Sequence, residues 1–254
     1  MDLNIQDVFK KLGIKSSDTI FIHGDAGAAF ELKEINIKER LNHFLNQIIN
    51  FIDEKGTIII PSFSYSFTKN EDFDVHNTPS DLGAFSEAFR GLSGVLRSKN
   101  PNFSVCSIGK YAKEYSNSSI YDCFGKNTAF DLMQKHNAKI VCLGCDFSRI
   151  TFVHYLEQEI EVPYRYLKTF SGIIKDEERI EKINNTYYVR DLSFESQGEL
   201  TSVKDLSHQK GLLGIERYGR FPVLSINTND FYLVAKEILS QDPYGLTKHR
   251  FNII

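Results

Sequence analysis

Three short apolar runs constrain the fold of this chain more than any other feature: Thr19-Ile-Phe-Ile-His23, Thr57-Ile-Ile-Ile-Pro61 and Lys139-Ile-Val-Cys-Leu-Gly144. A strand with one wet face alternates polar and apolar residues. An unbroken apolar run instead calls for cover on both faces of a sheet. Helix-spaced segments supply that cover. Ile5, Val8, Phe9 and Leu12 precede a stop at Gly13, and Leu41, Phe44, Leu45, Ile48, Ile49 and Ile52 line one face of Ile37–Ile52. Phe231, Val234, Ala235 and Ile238 do the same within Asn229–Leu239. Helices alternating with buried strands define an α/β fold class.

The remaining segments fit between these elements. Gly83–Phe89 has helical spacing through Phe85 and Phe89, while Ser104–Ile108 and Phe221–Ile226 read as strands. Ser62–Ser80 is polar and long for a passive connector. After Pro163 the pattern turns to polar strand-like segments, Tyr166–Ile174 and Thr186–Leu192, separated by the charged run Lys175–Lys182, which reads as a solvated hairpin. Leu200–Leu213 shows no clear period. No internal repeat or disordered linker interrupts the 254 residues, so one domain over 1–254 is expected, with a more β-rich subregion at about 163–226.

Bulk charge and cysteine content narrow the function. Thirty Lys and Arg against 33 Asp and Glu give a formal charge of -3, so no net basic field favours nucleic acid as a partner. Met1–Lys11 has no apolar signal core, and no run of roughly 18 apolar residues occurs, which points to a cytoplasmic chain without membrane insertion. Of the four cysteines, Cys142 and Cys145 have CxxC spacing. They lack both the second pair of a zinc site and the helix start of a redox motif, so reduced buried thiols and no metal are expected.

The sharpest chemical signal is Thr151-Phe-Val-His154-Tyr-Leu-Glu157 after the third apolar run. On a helix these three polar residues share a face. His154 can take up a proton near neutral pH, and Glu157 one turn later can orient its ring and stabilise the imidazolium. Spacing alone leaves a surface ion pair, a hydrolase and a transferase all open.

The ordered markers around that segment resemble the aminoglycoside 3-N-acetyltransferase family, which includes related amino-sugar N-acyltransferases. They are Asp18-Thr-Ile-Phe-Ile-His23, Gly56-Thr-Ile-Ile-Ile-Pro61, Thr78-Pro-Ser-Asp-Leu-Gly83, the loop Arg97-Ser-Lys-Asn-Pro-Asn-Phe-Ser104, Gly109, Leu143-Gly144 and the Thr-x-x-His-x-x-Glu segment. The resemblance implies a central mixed sheet flanked by helices, distinct from the smaller GNAT fold. It also implies transfer of an acetyl or other short acyl group from acyl-CoA to a primary amine of an aminoglycoside or related, nucleotide-linked amino sugar.

By the same resemblance His154 is the general base, Glu157 its orienting partner, and Thr151 a helper at the reaction centre, with a helix-capping role as its alternative. Arg97, Ser98 and Ser104 would hold the donor, with His23 and Gly24 as cofactor neighbours. Tyr65, Ser66 and Asp74 fall in the family's pocket-lining loop. Two departures stand out: Asn100 occupies a position where the family usually has histidine, and His23-Gly-Asp-Ala26 replaces a His-Ser-Ser-Leu-like sequence. These keep a non-catalytic binding or assembly homologue, and a His-Glu amide or thioester hydrolase, as alternatives. A homo-oligomer is compatible with everything above.

Overall fold

The computed structural model describes residues 4–249. Helix α1 (Ile5–Lys11) leads into strand β1 (Thr19–Gly24), helix α2 (Arg40–Ile49) and strand β2 (Thr57–Pro61). A short β3 (Phe73–Asp74), α3 (Ala84–Arg90), β4 (Leu96–Arg97) and β5 (Val105–Gly109) follow, then α4 (Ala112–Ser116), α5 (Ala129–Lys135), β6 (Lys139–Leu143) and α6 (Val153–Ile160). The chain continues through β7 (Arg165–Asp176), β8 (Arg179–Arg190), α7 (Thr201–Gln209), β9 (Gly214–Tyr218), β10 (Phe221–Asn227) and α8 (Thr228–Gln241).

Seven strands form one mixed sheet in the order β4-β5-β2-β1-β6-β10-β9. β1 lies parallel to both β2 and β6, and the remaining pairings are antiparallel. The apolar runs therefore occupy the centre, and their side chains divide between two cores. Phe21, Ile59, Ile140 and Cys142 face the core built with Phe130, Met133, Leu156, Val203, Phe231 and Val234 from α5 to α8. Ile20, Ile22, Ile58, Ile60, Val141 and Leu143 face the opposite core, built with Phe9, Phe44, Leu45, Ile48, Phe85 and Phe89 from α1 to α3. Double-sided cover explains why these strands carry no polar stripe.

The parallel arrangement brings the carboxyl ends of β1, β2 and β6 to one edge, where open α/β sheets place their ligands. Gly24 ends β1 against Phe85, leaving no room for a Cβ between that strand and α3. Gly144 follows β6 at φ +73° and turns the chain toward α6.

Several segments differ from their expected form. The charged stretch 175–182 is not a separating loop: β7 and β8 pair over their whole length, from Arg165 opposite Arg190 to Asp176 opposite Arg179. The reversal occupies Glu177 and Glu178, with Glu177 at φ +55°. Charge here marks a largely solvent-facing ribbon. Ser62–Ser80 is tied down by a 3-10 turn at Phe67–Lys69 and by β3, which pairs parallel with β7. Phe67, Phe73, Val75, Ile174 and Ile183 give this second sheet a small core. The stretch Leu200–Leu213 contains α7, and α4, α5 and β9 are elements that the sequence pattern did not disclose. No helix among the described residues is long and apolar enough to cross a membrane.

The hairpin is locked to the main body by Asn185, a fully buried residue of β8. Its Oδ1 accepts from Asn102 Nδ2 at 2.8 Å and from the Cys123 thiol at 3.0 Å, and its Nδ2 donates to the Ile120 carbonyl at 2.8 Å. Asn185→Ala leaves these buried groups unpaired, so urea unfolding should show a loss of about 1–3 kcal/mol.

Candidate active site

The turn after β6 is set by local polar contacts. Asp146 Oδ1 accepts from Ser148 N–H at 2.8 Å and caps a 3-10 turn at Phe147–Arg149. Thr151 and Phe152 then lead into α6, whose buried Val153 and Leu156 fix which face turns inward. His154 and Glu157 consequently meet as a buried pair, not as a surface one. Glu157 is 1% exposed and His154 24% exposed, and His154 Nδ1 lies 2.7 Å from Glu157 Oε2. The shorter contact and opposite charge assign the proton to Nδ1, leaving Nε2 as the basic nitrogen.

The hairpin adds two groups that sequence reasoning missed. Arg165 Nε lies 2.7 Å from Glu157 Oε2, an ion pair by distance but not an aligned hydrogen bond, and Tyr164 donates its hydroxyl to Glu157 Oε1 at 3.1 Å. Arg165 Nη2 also lies 3.1 Å from His154 Nδ1. Burial alone would raise the Glu157 pKa, but Arg165 and then His154 outweigh it and keep the carboxylate ionised. For His154, burial first and Arg165 second lower the pKa against the opposing pull of Glu157, so the ring is neutral at pH 7. Phe124 packs on the ring at 5.3 Å between centroids. A basic residue eight positions beyond Glu157 was visible in the sequence, but nothing there showed that the hairpin start folds back onto α6.

Beside the pair, a cleft of about 520 Å³ opens at the strand ends. It is lined by His23, Gly24 and Asp25 after β1, Pro61 and Tyr65 after β2, Gly83–Ser86 at the start of α3, and Cys145, Ser148, Arg149 and Thr151 after β6. His154 and Glu157 line a separate, smaller cavity of about 80 Å³, and Ser148 and Thr151 border both. Thr151 is thus the link between cleft and base. Its hydroxyl is out of solvent and has no hydrogen-bond partner among the described residues, which does not fit the helix-capping alternative. His23 accepts from the Thr151 N–H through Nε2 at 3.4 Å, and burial lowers its pKa to about 3, leaving it neutral.

The other sequence-derived candidates separate into two groups. Tyr65 reaches the cleft from a left-handed backbone position, φ +53°, and burial pushes its phenol up to about 12. Arg97, Ser98 and Ser104 do not line the cleft. Every guanidinium nitrogen of Arg97 is engaged internally: Nε with Ser104 Oγ at 3.1 Å, Nη1 with the Val75 and Thr78 carbonyls, and Nη2 with the Ser62 carbonyl at 2.8 Å. Its guanidinium lies over Phe73, and burial lowers its pKa to about 10. Ser98 Oγ accepts from Val105 N–H, and Ser104 Oγ donates to the Ser62 carbonyl. This basic loop is an internal clamp, which corrects its assignment to donor phosphates.

Ser66 and Asp74 are also structural. Ser66 is buried and donates to Ser64 Oγ at 2.9 Å. Asp74 accepts from the backbone N–H groups of His76 and Asn77 and from Asn77 Nδ2, closing its own turn. Asn100 plays a similar part, accepting from Asn102 and Phe103 N–H and donating to the Asp122 carbonyl. Of the CxxC pair, Cys142 is buried, whereas Cys145 is half-buried and lines the cleft, so only the first fits the expected buried thiol.

The family model described as aminoglycoside 3-N-acetyltransferase matches residues 31–240. The chain belongs to that family. It is accordingly an acyl-CoA-dependent N-acyltransferase. Similar solved structures confirm the fold at low identity. AAC-IIIb in a binary complex with CoASH is 14% identical, with a TM-score of 0.79 over 93% of this chain and 95% of that one. AAC-VIa bound to sisomicin is 17% identical, with a TM-score of 0.77 over 93% and 96%. The YokD protein from Bacillus subtilis is 18% identical, with a TM-score of 0.76 over 94% and 92%.

Removing the clamp should act on stability. Arg97→Met strands several buried carbonyls, and chemical denaturation should show a loss of about 2–4 kcal/mol.

Proposed function

We propose that this protein transfers an acetyl or other short acyl group directly from acyl-CoA to a primary amine of an aminoglycoside or related, nucleotide-linked amino sugar, with His154 as general base. The observation that carries this reading is the unpartnered Thr151 hydroxyl at the border between the large cleft and the His154 cavity. A buried hydroxyl with no partner is costly unless a ligand supplies one, and a thioester carbonyl in the cleft would do so.

The donor fits the cleft in these terms. Arg149 supplies a cation for a phosphate, and Gly24, Asp25 and Ala26 present the loop along which a narrow pantetheine arm can lie, with His23 at its inner end. The acceptor amine approaches from the His154 side. Nε2 removes a proton as nitrogen attacks the carbonyl carbon, and Thr151 donates to the developing oxyanion. Collapse forms the amide C–N bond and breaks the C–S bond. The proton held by His154 returns to the departing thiolate, releasing free CoA and regenerating the neutral ring. Glu157 holds Nδ1–H throughout and stabilises the transient imidazolium.

A matrix of acyl-CoA donors and amine acceptors, read for both free thiol and acylated product, tests the reading. Matched release of thiol and product is expected with an amino-sugar amine. Thiol release without an amine would instead mark a hydrolase, and binding without either would mark a non-catalytic homologue. His154→Ala should reduce kcat by about 10²–10⁴-fold in a folded protein. Thr151→Val should lower kcat by about 10²-fold with a smaller change in KM, because its donor acts in the transition state.

A further inference from the structure

Arg165 touches the catalytic pair more closely than any step above requires. It is the first residue of β7, its side chain is 4% exposed, and it lies between Glu157 Oε2 at 2.7 Å and His154 Nδ1 at 3.1 Å. Its Nη1 donates to the Tyr188 carbonyl at 3.3 Å, which fixes the guanidinium from the strand side. A guanidinium that served only to anchor the hairpin would have no need to approach an imidazole.

Consider the pocket without it. A buried carboxylate 2.7 Å from an imidazole favours the imidazolium strongly, because the ion pair would cancel charge in a region of low dielectric. The ring would then keep a proton at neutral pH and have no lone pair to offer an ammonium. With Arg165 present, the carboxylate is already balanced, and protonating the ring would leave the buried cluster with a net positive charge. Other groups facing the ring and its partner do not alter this balance. From α6 only Glu157 is charged; Tyr164, ahead of β7, donates a neutral hydroxyl to Glu157; Tyr187 of β8 bonds to Arg165; Tyr188 of β8 donates to the Val162 carbonyl; and the segment before α5 contributes the apolar Phe124.

We propose that Arg165 is a positioning residue that neutralises Glu157, so that Glu157 orients the imidazole of His154 without making it too basic to act at neutral pH. The role given to the ring rests on the function proposed above; the electrostatic coupling does not. A neutral cluster has a second consequence. It avoids repelling a cationic amino sugar, which an imidazolium beside a guanidinium would do.

The test is a ring-resonance NMR titration of isotopically labelled histidine in the full-length protein, with His154 assigned by the signal absent from His154→Gln. The expected result is that Arg165→Met raises the His154 midpoint by about one pH unit or more, a tenfold or larger change in proton affinity. Arg165→Lys, which keeps the charge, should move it much less. The acidic limb of the kcat/KM profile should shift upward with the midpoint, so Arg165→Met loses at least about tenfold more activity at pH 6 than at pH 8.5. An unmoved midpoint in a folded Arg165→Met protein, with activity lowered equally at every pH, would reduce Arg165 to a hairpin anchor and overturn the proposal. If Arg165→Met does not fold, Glu157→Gln provides the converse: Arg165 then faces the ring without its counterion, and the midpoint must fall below that of the wild type. No fall would overturn the proposal equally. A midpoint that moves while the activity limb stays in place would leave the coupling standing and refute His154 as the base.

Discussion

The buried carboxylate of Glu157 is the constraint around which the site is organised. An ionised carboxyl at 1% exposure is tolerable only with close partners, and His154, Arg165 and Tyr164 provide them from two separate parts of the chain. The requirement ties α6 to the start of the hairpin. It also determines how the imidazole points, because the Nδ1 contact holds the ring edge toward the carboxylate and leaves the other nitrogen as the reactive one. The hairpin is therefore part of the catalytic architecture, and Asn185, deep in β8, holds it in place.

The second requirement is a site at the end of a doubly covered sheet. The central parallel strands bury both faces, so the polar groups needed for chemistry cannot sit along them and collect where they end. His23, Tyr65 and Thr151 each follow one of these strands within a few residues. Thr151 joins the two compartments there, and its unpartnered hydroxyl is the one polar feature of the border that the protein itself leaves incomplete.

Much of this was legible in the sequence. The apolar runs became β1, β2 and β6 because two-sided burial leaves its mark on every residue of a strand. The i, i+3 spacing of His154 and Glu157 survived because a helix converts spacing directly into proximity. Other features depend on contacts across the chain. Arg165 looked like any basic residue at a strand start, since its partner is decided by how the hairpin folds back. Arg97 looked like a surface cation available to phosphates, yet carbonyls from Ser62, Val75 and Thr78 enclose it. The charge of Lys175–Lys182 suggested a loop, but a ribbon with two wet faces can carry the same residues. Helix α5 packs Phe130 and Met133 into the core from a segment too short to show a clear period.

Direct transfer is the central claim, and Cys145 makes it open to a sharp challenge, since this half-buried thiol lines the same cleft as Thr151 and is the obvious rival nucleophile. Intact-mass spectrometry of the protein mixed with acyl-CoA, before and after an amine acceptor is added, separates the two routes. The account predicts no covalent acyl adduct at either stage, and release of CoA only once the amine is present. A stoichiometric acyl-enzyme that forms with acyl-CoA alone and disappears on adding the amine would contradict it.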